Sequence, residues 1–296
     1  MRAASAEAPA RAALAGNPSD GYGGRTLAVT IPAWRARVEV SPGAARIDPP
    51  DEDGSALMRA AIKRLGIPHD FTLRWATTIP RQVGLAGSSA LITAALKAMA
   101  AGTERELDAQ ELALMAWQAE TVELGIVAGP QDRVVQAHGG LVAMDFDPEH
   151  GEIGKAEVLD PRLLPPIFVA WQRLPSKSSH YYHVALRRRH AEGDPHVLEA
   201  LTQLAGVARA ARHALMARDA RSFAHCLDAS FELRRRLGPL DPEHVALIEC
   251  AREHGAAANY AGSGGAIVGT LPADPEPLRK ALAAQGCGML APALGR

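Results

Sequence analysis

The stretch Ile79-Pro80-Arg81-Gln82-Val83-Gly84-Leu85-Ala86-Gly87-Ser88-Ser89-Ala90 decides how the chain is read. It stands between a strand pattern at 71–78 and an apolar, alanine-rich run at 91–101 that reads as a helix. Glycines let backbone N–H groups come close to a ligand, and a helix start adds the positive end of its dipole. Serine hydroxyls add contacts for phosphate oxygen or a hard metal ion. The combination suits a triphosphate, although a glycine turn followed by a serine cap has the same composition. It is not a Walker loop, since no Gly-Lys-Ser/Thr follows, and the Gly-x-Gly-x-x-Gly spacing of a dinucleotide loop is absent.

Outward from this loop, residues 26–31 and 35–40 read as two strands, the second alternating Arg-Ala-Arg-Val-Glu-Val. Residues 41–54 are rich in Pro and Asp and read as a loop; 55–65 reads as a helix. A longer helix is expected at 108–124, with Leu112, Met115, Ala116, Ala119 and Val122 at helical spacing. Glycine and proline break it at 125–130, a short helix follows at 132–137, and a strand at 141–146 comes after Gly139-Gly140. The proline-rich stretch 161–166 suggests a boundary between domains at 1–160 and 161–296. Beyond it come a strand at 167–171, two or three helices between about 190 and 255, and a glycine-rich loop at 261–265. A strand at 266–271 and a helix from about Pro275 complete the chain. Residues 1–8 read as a frayed tail and 16–24 as a third glycine-rich loop. Strands and helices mixed at long separations, without a repeat, indicate an α+β fold.

Composition narrows the function classes. The chain has 296 residues, 47% hydrophobic and 22% charged, enough to bury a sizeable core. Lys plus Arg is 32 and Asp plus Glu 33, a formal charge of −1. That balance argues against a nucleic-acid or anionic-membrane binder. Cys226, Cys250 and Cys287 are too scattered for a disulfide framework or zinc site and read as reduced thiols of a cytoplasmic protein. The N-terminus lacks the apolar stretch of a signal peptide, and the most apolar run contains Lys97 and is too short to span a bilayer. Aromatics are only 4%, so helices are expected to pack on small side chains.

Three glycine-rich loops far apart in one chain exceed what folding alone asks for. Pro9-Ala10-Arg11 with Gly16 and Asp20, the 80–90 loop, and Gly262-Ser263-Gly264-Gly265 follow the order of the three motifs of the GHMP kinases, which the chain resembles over nearly its whole length. It looks most similar to their glucuronokinase branch, through Gly16-Asn17-Pro18-Ser19-Asp20, Gly84–Ala90, 123–129 with 131–136, and 261–266. The resemblance implies a two-domain fold, an N-terminal half like ribosomal protein S5 domain 2 and a ferredoxin-like C-terminal half, with the active site between them. It also implies Mg-ATP and a sugar or sugar-acid acceptor as small-molecule partners; oligomeric state is left open.

Site residues follow by position. Asp132 lies seven residues before Gly139-Gly140, as the family's catalytic aspartate lies before its glycine pair, and is the candidate base. A helix-capping role would suit the same aspartate. Glu120, twelve residues earlier, resembles the magnesium glutamate, with Glu123 as its competitor. Gly84, Leu85, Ala86, Gly87, Ser88, Ser89 and Ala90 are the phosphate-binding candidates. Here two residues, Ala86 and Gly87, separate Gly-Leu from Ser-Ser where the family pattern has one. Counting from Pro80 puts Ser88 on the metal-binding serine, the preferred count; counting back from Ser-Ser-Ala puts Ser89 there. Arg11 resembles the motif-one cation beside the catalytic aspartate. Asn17, Asp20, Gly262, Ser263, Gly264 and Gly265 are the acceptor-binding candidates.

If the acceptor is glucuronate, its carboxylate needs a cation, and Arg25, Arg81, Arg133 and Lys177 lie near the motif loops. Arg234-Arg235-Arg236 reads as a solvated helix face, and His180-x-x-His183 as loop or strand surface. The expected activity is ATP plus D-glucuronate giving ADP plus D-glucuronate 1-phosphate. The rivals are the same chemistry on another uronate, a neutral sugar, a heptose phosphate or an isoprenoid acid; a non-catalytic ATP or sugar sensor; and a structural protein.

Overall fold

A computed structural model describes residues 1–173 and 180–294. It contains two sheets. In the first, β1 (Ala4–Ala15) runs antiparallel to the long β2 (Arg25–Pro42). The opposite edge of β2 pairs with β4 (Phe71–Thr77) through residues 36–42 and with β5 (Leu141–Asp145) through residues 25–29. The short β3 (Arg46–Asp48) adds parallel to β4, and β6 (Lys155–Leu159) antiparallel to β5. The second sheet is antiparallel, in the order β10 (Cys287–Leu290), β7 (Ile167–Gln172), β9 (Ala266–Thr270), β8 (Ala258–Tyr260).

Three sequence expectations change here. The supposed tail is the start of β1, and Ala8 and Ala10 are completely buried. β1 packs against α2 (Gly87–Gly102) and α4 (Gln131–His138), and also against α6 (Pro195–Met216) and α7 (Ala220–Leu237). A strand enclosed this way carries a run of small apolar residues instead of an alternation. The two strands expected at 26–40 are one, interrupted by a bulge. Pairing jumps from Arg35 opposite Pro9 to Ile31 opposite Ala10. Pro32 falls in the unpaired step, where a missing N–H costs nothing. The supposed loop at 41–54 holds β3 and the start of α1 (Glu52–Leu65), capped by Asp51, whose carboxylate accepts the Gly54 N–H at 2.8 Å.

α2 is buried nearly all round; Ala90, Ala94, Ala95, Ala98 and Met99 are fully enclosed. Its alanines allow close approach to β1 and β2, as the low aromatic content suggested. The helix expected at 108–124 ends earlier: α3 covers Ala109–Gln118, and residues Ala119–Glu123 form one wider π-helical turn. Such a turn re-aims side chains by inserting an extra residue. Three helices occupy the region between 190 and 255: α6, α7 and α8 (Pro242–Glu253). α5 (His180–Ala191) precedes them, so the His180-x-x-His183 stretch is helical and not loop or strand. α9 (Glu276–Ala284) precedes β10. Strands β6, β8 and β10 had no clear sequence signal; they are three to five residues long.

The largest core is continuous across both sheets, joining Leu14, Leu27 and Ile31 to Ile167, Val169, Phe223 and Val268. Trp34 of β2 meets Trp171 of β7 edge-on, with ring centres 4.6 Å apart. Among the described residues no helix is long and apolar enough to cross a membrane, and Cys226, Cys250 and Cys287 are free thiols.

Candidate active site

The outer edge of β1 gathers the glycine loops. Arg11 N–H donates to the Leu85 carbonyl at 3.3 Å, and Ala13 N–H to the Ala261 carbonyl at 2.8 Å. Arg11 then ties the loops together with its side chain. Its Nη1 donates to the carbonyls of Gly84 (2.8 Å) and Ala261 (2.6 Å), while Nε donates to Asp132 Oδ1 at 2.6 Å. The two loops touch so closely that glycine is required. A Cβ on Gly84, where φ is +76°, would lie 2.8 Å from the Gly264 carbonyl and the Ser263 nitrogen; one on Gly262 would lie 2.1 Å from the Gly84 carbonyl.

Between the loops opens a cavity of about 800 Å³. The start of α2 forms part of its wall, with Gly87, Ser88 and Ser89. α1, α3, α6, α7 and α8 each begin with an aspartate whose carboxylate accepts a first-turn amide. α2 begins instead with Ala86 in the left-handed region (φ 59°), and no side chain caps it. Its leading amides are therefore available to an anion. Buried Gln136 holds this loop in place, donating to the carbonyls of Ala86 (3.0 Å) and Pro9 (2.9 Å).

Charged side chains alternate along the adjoining wall. The π turn separates its two glutamates. Glu120 is 1% exposed and meets the cavity, accepting from the Ser89 hydroxyl at 3.4 Å and pairing with the Arg133 guanidinium. Glu123 faces α1 instead and pairs with Lys63 (2.6 Å) and Arg64 (3.3 Å), which hold its carboxyl below the usual range. Asp132 sits between Arg11 and Arg133, the latter at 3.9 Å. Burial, with Arg11 nearby, pushes Arg133 down to about 9. Asp20 is buried beside Gly129 and accepts the Gln131 N–H at 3.3 Å. Burial first, and the Asp132 charge second, raise Asp20 to about 6.

Such an arrangement can bind a polyanion on open amides, hold an aspartate side chain against an arginine, and present a second carboxyl to hydroxyl groups. Comparison with known proteins gives it a family. The model of the GHMP kinases N terminal domain matches residues 55–140, and that of the GHMP kinases C terminal region matches 211–286. The chain is 34% identical to probable glucuronokinase 2 of Arabidopsis thaliana over 312 residues, covering 91% of this chain and 85% of the relative. It is 31% identical to glucuronokinase 1 of the same plant, with the same coverage.

The chain belongs to the GHMP kinase family.

Its fold is accordingly the two-domain GHMP kinase fold, and the chain is a small-molecule kinase that transfers a phosphoryl group to an alcohol. Lactococcus lactis galactokinase, solved with galactose, superposes with a TM-score of 0.81 at 16% identity, covering 99% of this chain and 94% of that one.

Within this GHMP kinase, the structure gathers Arg11, Asn17, Asp20, Gly84, Leu85, Ala86, Gly87, Ser88, Ser89, Glu120, Asp132, Gly262 and Ser263 around one cavity. Asn17 donates to the Gly262 carbonyl at 3.3 Å. Ala90 lies behind the wall in α2, and Gly264 and Gly265 stand back from it. Gly264 packs against the His244 ring, and the Gly265 carbonyl accepts the Gln172 N–H at 2.8 Å. Of the two serines, Ser89 is the one against Glu120, while Ser88 is exposed.

The carboxylate-binding candidates separate. Arg25 pairs with Asp145 at 2.7 Å and does not line the cavity; Arg81 is exposed at its rim, 4.0 Å from Asp51 and Asp53; Arg133 is held by Glu120. Lys177 lies outside the described residues. One correction concerns Arg234-Arg235-Arg236. Arg235 and Arg236 take part of the exposed face, but Arg234 is only 1% exposed and lines the cavity, over the Tyr260 ring. His244 and Tyr260 were also missed, because a single histidine or tyrosine carries no spacing signal. Arg234 could have been found by helical phase: it stands seven and three residues after the apolar Leu227 and Phe231 and three before Leu237, on one helix face.

Proposed function

We propose that this GHMP kinase is a sugar-1-kinase acting on D-glucuronate, with ATP as phosphoryl donor. The observation that carries the reading is the junction of Arg11 with Asp132 and both glycine loops. It puts a cation-held carboxylate beside open helix amides in a single cavity. The relatives named glucuronokinase supply the acceptor.

In this reading the amides of Gly87, Ser88 and Ser89 hold the phosphates. The acceptor's anomeric oxygen forms a bond to the γ-phosphorus as the bond to ADP breaks, and Asp132 orients that hydroxyl and takes its proton. Arg11 fixes the carboxylate and offsets charge on the transferring group. Asn17 and Asp20 bind acceptor hydroxyls. Ser89 and Glu120 would hold a magnesium ion: they are hard oxygen donors 3.4 Å apart on the cavity wall, and the ion would share the Glu120 carboxylate with Arg133. When bound, it supplies neutralisation of the phosphate charge.

The test is ADP release with Mg-ATP against glucuronate, galacturonate, glucose, galactose, a heptose phosphate and mevalonate, with phosphorus NMR on the product. Turnover on glucuronate giving an anomeric phosphate is expected. Turnover on a neutral sugar alone overturns the uronate assignment and leaves the family chemistry. Asp132→Ala is expected to keep ATP-dependent thermal stabilisation and lose at least about 100-fold in kcat.

A further inference from the structure

We infer that Arg234 binds the carboxylate of the acceptor and is the residue that makes this site select sugar acids over neutral sugars. The inference rests on the uronate reading above and adds the residue that would enforce it.

Placement is the first argument. On α7, Ser230 Oγ accepts the Gly16 N–H at 3.4 Å. Arg234, one helical turn further, shares that face. It therefore follows the contact that anchors the Gly16–Asp20 loop, which carries Asn17 and Asp20. Its guanidinium lies 5.3 Å from the centre of the Tyr260 ring. Tyr260 is two residues before Gly262, whose carbonyl accepts from Asn17. Arg234 thus borders the same loops as the acceptor-binding candidates, at the wall of the same cavity.

Chemistry is the second. A carboxylate is matched by a planar, permanently charged fork, and the Tyr260 ring lies within cation–π reach of the Arg234 guanidinium. The other arginines at the cavity are less suited. Arg11 and Arg133 hold Asp132 and Glu120, and redirecting either would dismantle the phosphoryl-transfer end. Arg81 and Arg187 are exposed at the cavity's edge, where water screens a carboxylate. Arg234 is enclosed, at 1% exposure, where the local dielectric is low and a charge pair discriminates most strongly against a neutral group.

The experiment compares two acceptors of nearly the same shape, D-glucuronate and the uncharged D-glucuronamide, on the wild type and on Arg234→Gln. In the wild type, kcat/KM is expected to favour glucuronate by at least about 100-fold, and in the variant by no more than about tenfold, with the KM for ATP within about threefold. A variant that loses both acceptors equally and keeps the preference makes Arg234 a structural residue and overturns the inference. So does one that keeps wild-type kinetics on both, and in either case the uronate reading survives. A wild type that phosphorylates neutral sugars but not glucuronate overturns the reading itself, and the inference with it; the wild-type arm alone reveals this. Arg234→Met, whose unbranched apolar chain tolerates burial, carries the same comparison should the glutamine variant not fold.

Discussion

Asp20 shows what enclosure does to one side chain. Its carboxyl ionises near 6 when folded, against 3.8 when solvated, because water is removed and Asp132 stands close. Between those values the folded state keeps a proton that the unfolded state has lost, so stability falls as pH rises from about 4 to about 6. Asp20→Asn removes this contribution. Thermal melts are expected to show the variant gaining on the wild type across that interval, by about 3 kcal/mol at pH 7. If Asp20 binds acceptor hydroxyls, the same variant raises the acceptor KM and leaves the KM for ATP unchanged. The motif resemblance pointed to Asp20 and put Arg11 beside Asp132. It could not show that Arg11 also bonds two loop carbonyls, since those partners are 73 and 250 residues away. Its preferred count put Ser88 at the metal, because one inserted residue shifts the count; the helix start instead puts Ser89 against Glu120.

Elements position these residues through close backbone contact. The 80–90 loop and the 261–265 loop press together through Gly84 and Gly262. Gly84→Ala meets backbone atoms that cannot swing aside and also a positive φ. ATP-dependent stabilisation is expected to disappear and kcat/KM to fall at least about 100-fold. Gly66→Ala is the control. Its φ is +73°, close to that of Gly84, but nothing lies within 4 Å of the added methyl. It should cost about 1 kcal/mol and leave kinetics intact. Strands and helices with a clear period were legible: β4, α1, α2 and α4 lie within a few residues of where the pattern put them. Three kinds of element were not. β1 is enclosed and lost its alternation, β2 crosses a proline at a bulge, and the π turn after α3 keeps helical spacing while turning Glu120 and Glu123 apart.

At the scale of the molecule, the two sheets share one core. Phe223 of α7 is fully buried in the same cluster as Leu14 and Leu27 of the first sheet. Phe223→Ala is expected to destabilise by about 3–5 kcal/mol. The loss should appear as a single shifted transition in denaturant, since both halves depend on the shared core. Trp34 and Trp171, in edge contact between the sheets, give the fluorescence signal. Two separated transitions would show instead that the halves unfold independently.

By itself the sequence determined the α+β class, the three glycine loops, the family and the residue types of the site. These are properties of local spacing and of motif order, and a linear string retains both. Only the tertiary structure decided that Ser89 faces Glu120, that Glu123 turns away to Lys63 and Arg64, that Arg25 is occupied by Asp145, and that Arg234 is enclosed at the cavity. Which of several arginines is buried depends on what packs against it. Tyr260 is 26 residues from Arg234 along the chain, and it is packing, not spacing, that brings the ring and the guanidinium together.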